Sequence, residues 1–62
     1  MGNRIKLYRI RQNLTIDELS KRCNLSIGYI SHLETGPRNN PSLKAMNRIA
    51  KALGKSIDEV FG

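Results

Sequence analysis

Sixty-two residues with 39% hydrophobic content, one Phe and no Trp are near the lower limit at which an apolar core alone holds a fold, and leave no room for a second domain. Eleven Lys and Arg against five Asp and Glu give a net charge of +6; this makes nucleic acid the first partner to consider, the bland alternative being charge kept for solubility. No apolar run of about 18 residues or signal-type segment is present, so neither a membrane span nor export is expected, and the lone Cys23, with no partner for an internal disulfide, fits a reducing, cytoplasmic interior.

Residues 3–12, NRIKLYRIRQ, contain no helix breaker and place Ile5 and Tyr8 three apart, which predicts a first helix. Asn13 suits a left-handed cap after it, and Leu14 then drops into the core. Thr15-Ile-Asp-Glu18 is a capping box: hydroxyl and carboxylate reciprocally satisfy amides that a helix start leaves free. It opens a second helix over about 16–23, where Asp17 and Glu18 also suit the positive end of the dipole. Ser20 is small enough for the next helix to cross close by. Asn24 sits where the turn needs positive φ, a conformation Asn tolerates. Ser26 caps a third helix over about 27–34, which Gly36 and Pro37 end. Gly28 near its start costs about 1 kcal/mol relative to Ala, so this helix depends on packing through Ile30 and Leu33.

Residues 35–41, TGPRNNP, have loop composition. After them Ser42 caps a fourth helix with an apolar stripe of Leu43, Met46, Ile49, Ala50 and Leu53, from which Lys44, Arg48 and Lys51 stand apart. Gly54 stops it. Ser56-Ile-Asp-Glu59 is a second capping box, starting a last short helix in which Ile57, Val60 and Phe61 either close the core or offer part of a dimer surface. The reading is all-α: five short helices in one domain spanning 1–62, with no strand, repeat or low-complexity segment.

The chain is organised around residues 15–36. Leu19, Cys23, Leu25, Ile30 and Leu33 fall on a shared inner face of two helices joined by a tight turn. The outer face of the second of these carries Ile27, Gly28, Tyr29, Ser31 and His32, neither strongly charged nor strongly oily. On a basic domain such a surface is shaped to enter a groove lined with phosphates, which predicts a helix-turn-helix that binds DNA. Cys23 faces inward and His32 outward, so they cannot supply the three or four ligands of a zinc site. No base and orienter serve a nucleophile, and no glycine-rich phosphate loop is present. No metal, cofactor or catalysis is expected.

The segments GNRIKLYR, LTIDEL, YISHLETG, NPSL and IAKALGKSIDEVF, in that order, resemble the DNA-binding domain of the Cro/CI repressor family, also called the Xre family, and within it the SinR-like branch. The likeness covers residues 2–61. It implies a compact five-helix lambda-repressor-like domain, sequence-specific binding in the major groove through the third helix, and transcriptional regulation, usually repression, by a homodimer on a two-fold-symmetric operator in double-stranded DNA. By the same resemblance Ile27, Gly28, Ser31 and His32 face base edges. Ile27 suits a thymine methyl, Gly28 a close backbone approach, and Ser31 and His32 hydrogen bonds; the plain alternative is an exposed helix surface.

Phosphate contacts are expected from Thr15 and Ile16 at the amide end of the second helix, from Ser26 and Tyr29, and from Arg38, Asn39, Asn40 and Lys44 around the loop and the fourth helix start. Tyr29 is equally well read as a packing residue. Arg9 and Glu34 match a structural ion pair that the family uses to tie the first helix to the end of the third. Two departures from the family pattern stand out: Ile16 replaces a common Gln that contacts phosphate, and Asn24 a common turn Gly. A rival reading keeps the fold but binds a protein partner such as an antirepressor or toxin; it would call for larger apolar anchors on the third helix than Ile27 and Tyr29. Binding to an anionic membrane would need a broad apolar face beside a lysine-rich one, and no segment combines them.

Overall fold

Four of the five helices begin at a hydroxyl residue whose oxygen accepts an amide that the helix start leaves unpaired. The computed structural model describes residues 3–36 and 41–62, and places α1 at Ile5–Arg11, α2 at Ile16–Cys23, α3 at Ile27–Thr35, α4 at Leu43–Leu53 and α5 at Ile57–Phe61. Thr15 accepts from the Glu18 amide at 3.0 Å while the Glu18 carboxylate accepts from the Thr15 amide at 2.9 Å. Ser56 and Glu59 repeat this box at 3.1 and 2.9 Å. Ser26 accepts from Tyr29 and Ser42 from Ala45, each at 3.1 Å. Three turns leave their helices through left-handed backbone, at Asn13 (φ +57°), Asn24 (+59°) and Gly54 (+69°). Asn and Gly are the residues for which that region costs least.

α1 departs from the expected 3–12 range at both ends. Asn3 stands outside the helix: its side-chain oxygen accepts from the Ile5 amide at 3.1 Å, and its side-chain amide donates to the Leu33 carbonyl at 2.9 Å. At the other end Gln12 closes the helix, and its side chain donates to the carbonyl of Leu53 at 2.7 Å. Arg4 binds the far end of the chain, its amide donating to Val60 at 2.8 Å and its guanidinium to the carbonyls of Glu59 at 3.1 Å and Gly62 at 3.4 Å. These links join α1 to α3, α4 and α5.

Each helix contributes one side chain with no meaningful exposure to solvent: Ile5, Leu19, Ile30, Ile49 and Val60. Leu14, Cys23, Leu33, Ala45, Ala50 and Leu53 fill the space between them, and Leu25, Ile57 and Phe61 pack half-buried at the margin, so the α5 residues close the core. α4 packs against both α2 and α5, and α2 against α3. The small Ser20 is buried and its hydroxyl donates to the Asp17 carbonyl at 2.7 Å, so close approach leaves no orphaned polar group. The stripe expected on α4 needs one correction. Leu43 is 64% exposed, and Ala45 takes a buried place instead. Leu43 shares a face with Ala50 but lies in the first turn, about 10 Å along the axis from it, beyond the core.

Candidate nucleic-acid interface

Burial of Ile30 and Leu33 fixes how α3 is rotated, because residues at that spacing share one face and leave the opposite one to solvent. Gly28, His32 and Thr35 stand on the free side and are exposed. Ser31 lies on its flank, half-buried, and Ile27, in the first turn, is 49% exposed. Tyr29 occupies the other flank, its ring packed against the edge of the core. The four residues expected at base edges therefore lie together on one accessible strip. Thr35 belongs with them, one residue beyond the range of about 27–34 expected for this helix. It sits seven positions after Gly28, and its hydroxyl donates to the Ser31 carbonyl at 2.9 Å.

The start of α2 offers a more selective set of donors than the sequence suggests. The Thr15 amide is already engaged by the Glu18 carboxylate at 2.9 Å. Amide donation at this end therefore falls to Ile16 and Asp17, which have no intrahelical acceptor, while the Ser26 hydroxyl accepts from an amide and keeps its own proton for donation. Acidic charge here is restrained. The backbone and hydroxyl hydrogen bonds of Thr15 hold the Glu18 carboxyl below the ordinary glutamate range, and Asp17 lies 3.2 Å from the Lys21 ammonium.

Arg9 and Glu34 brace the other end of α3. The guanidinium grips the carboxylate through two bonds of 2.8 and 3.1 Å and donates a third, of 2.8 Å, to the Leu14 carbonyl. The Glu34 side chain is 2% exposed and that of Arg9 11%, and the hydrogen bond to Glu34 pushes the Arg9 pKa upward. A forked, enclosed pair of this kind fixes geometry more than it adds stability. Together with the Asn3 bond to Leu33, it ties the carboxyl-terminal turn of α3 to α1. Lys44 is exposed in the first turn of α4. Arg38, Asn39 and Asn40 lie outside the described residues.

The sequence profile of the helix-turn-helix family matches residues 5–60, the segment that contains all five helices apart from the last residue of α5. The chain belongs to that family, in its Cro/CI type. Among family relatives, it is 39% identical over 61 residues to an uncharacterized HTH-type transcriptional regulator of Methanocaldococcus jannaschii, covering 98% of this chain and 91% of that protein. It is 37% identical over 62 residues to the immunity repressor protein of Bacillus phage phi105, covering 100% of this chain and 42% of the repressor. It thus spans nearly all of the first relative and less than half of the second. The family fold recurs in the crystal structure of SinR, the master regulator for biofilm formation, in complex with DNA: TM-score 0.83, 27% identity, 89% of this chain and 87% of that one. The restriction-modification controller protein C.AhdI from Aeromonas hydrophila is similar at TM-score 0.83 and 28% identity, over 90% of this chain and 83% of that one.

No helix among the described residues is long and apolar enough to cross a membrane, and no three His, Cys, Asp or Glu side chains among them gather as metal ligands do. Asn3, Arg4 and Gln12 carry no local signal for their roles, because they act on carbonyls far along the chain. Thr35, by contrast, was readable from its helical spacing to Gly28.

Proposed function

We propose that this protein is a sequence-specific DNA-binding transcriptional regulator, acting as a repressor, that lays α3 in the major groove of an operator half-site. The observation that carries the reading is the accessible, weakly polar strip of Ile27, Gly28, Ser31 and His32 on a chain of net charge +6, in a family whose fold recurs in a DNA complex. Positive potential draws the domain to the duplex. Thr15 and Ile16 on one side, and Arg38, Asn39, Asn40 and Lys44 on the other, with Ser26 and Tyr29 between, hold phosphates and set the register. The strip on α3, extended by Thr35, then samples base edges, with Ile27 suited to a thymine methyl and His32 to a hydrogen-bonding edge. One copy reads too few base pairs to be selective in a genome, so two copies occupy half-sites about one helical turn apart, in the cytoplasm.

Selection of bound sequences from a random duplex pool tests this. Replacing His32 with Ala changes which sequences are enriched, whereas replacing Arg38 with Ala weakens all of them alike and makes the salt dependence shallower by about one phosphate. Equal, weak binding to every duplex at low salt would overturn the assignment.

A further inference from the structure

A second concentration of charge lies where the end of α2 meets the middle of α4. A cleft of about 450 Å³ opens there, lined by Arg22, Cys23, Asn24, Arg48, Lys51 and Ala52. Three of these six residues are cations and none is acidic. Among the described residues no carboxylate lies within ion-pair distance of Arg22, Arg48 or Lys51; the two ion pairs found there are Arg9 with Glu34 and Lys21 with Asp17. Glu18, one turn before Arg22, is bound to the Thr15 amide and meets Arg22 only through space, with no ion-pair contact. Arg48 is half-buried, and its guanidinium has no protein hydrogen-bond acceptor among the described residues. Buried Cys23 and half-buried Ala52 supply an apolar floor, and Asn24, held in left-handed backbone at the end of α2, adds an amide to the rim.

Three cations gathered along one cleft repel one another, and the repulsion is relieved by an anion. Guanidinium and ammonium groups are the donors a tetrahedral dianion takes, a fork binding two of its oxygens and an ammonium one. The cleft is open to solvent, and its volume falls within the range of about 300–1,000 Å³ usual for small-molecule sites. Lys51 lies about 10 Å along α4 from Lys44 and Arg22 about 9 Å along α2 from Ile16, while Arg48 follows Lys44 by one turn, about 6 Å, so the cleft begins one turn beyond the proposed phosphate contact on α4.

We propose that this cleft binds the phosphate group of a phosphorylated small molecule, with Arg22, Arg48 and Lys51 as its ligands. The site does not depend on α3 binding DNA, and the test reads it separately. The full chain, labelled with nitrogen-15, is titrated with inorganic phosphate and with glucose 6-phosphate, against sodium chloride at matched ionic strength and neutral glucose. The expected result is a saturable shift of the amide signals of residues 22–24 and 48–52 with both phosphates and with neither control. Arg48→Gln and, independently, the exposed Lys51→Gln each weaken binding by about tenfold, with helical circular dichroism unchanged. Shifts that track ionic strength alone, or that are scattered over the surface, overturn the proposal. So does the finding that duplex DNA displaces phosphate from these residues while Arg48→Gln makes the salt dependence of DNA binding shallower, because the cleft would then be part of the backbone track.

Discussion

Replacing Gly28 with Ala separates what α3 needs in order to fold from what it needs in order to bind. Gly28 is the second residue of the helix, it is exposed, and a Cβ built there meets nothing within 4 Å. The new methyl therefore meets no steric opposition inside the domain, and only the change in helix propensity remains. That change favours Ala by about 0.5–1 kcal/mol, the lower figure applying near a helix end. For a domain of this size 1 kcal/mol corresponds to about 4–8 °C in melting temperature, so the variant should melt about 2–8 °C higher. If the backbone at Gly28 approaches base edges, the same methyl stands in the way, and operator affinity should fall by about tenfold, the lower end of what one good base contact is worth. Thermal melts followed by circular dichroism give the first quantity and fluorescence anisotropy with a labelled operator the second. A lower melting temperature would refute the claim of open space. A raised one with unchanged affinity would remove Gly28 from the base-reading strip.

Glu34→Ala leaves Arg9 enclosed and uncompensated and should cost about 3–5 kcal/mol in urea unfolding, a large share of the roughly 3–9 kcal/mol typical of a chain this long; Arg9→Met with Glu34→Leu together should recover most of it. The carboxyls of Glu18 and Glu59 are held below the ordinary glutamate range, chiefly by the backbone amides of Thr15 and Ser56. A lowered folded pKa contributes stability that is complete above the unfolded value, about 4.3, and drains away as pH falls through the lower, folded one. Urea midpoints should therefore drop as the solution is acidified below about pH 4, and the drop should be smaller in Glu18→Gln with Glu59→Gln. Gly54→Ala should cost about 1–2 kcal/mol although its Cβ would touch nothing within 4 Å, because φ there is +69°; denaturant titration reads this directly.

What the amino-acid sequence makes legible here is local. The two S/T-x-D-E boxes announce α2 and α5 because their partners sit three residues apart. Asn24 and Asn13 mark left-handed turns because few other side chains accept that backbone. The rotation of α3 follows from Ile30 and Leu33, so the strip expected to meet DNA stands where helical periodicity puts it. The misreadings come from contacts that periodicity does not encode. Asn3 and Gln12 left α1 because their side chains bind the carbonyls of Leu33 and Leu53, 30 and 41 positions away. Angular position alone puts Leu43 in the core, whereas burial also depends on how far along the axis a residue sits. The cationic cleft is hidden for a similar reason, since Arg22 and Arg48 are brought together only when α2 packs on α4.

The fully enclosed side chains come one from every helix, and this has a bearing on how the domain comes apart. Removing any one helix takes away one of these enclosed side chains and exposes apolar surface on the rest. Unfolding should then be all-or-none, with the amides around Ile5, Leu19, Ile30, Ile49 and Val60 exchanging their hydrogens through a single shared opening. The helix offered to a ligand cannot be loosened in isolation: its rigidity is that of the whole domain.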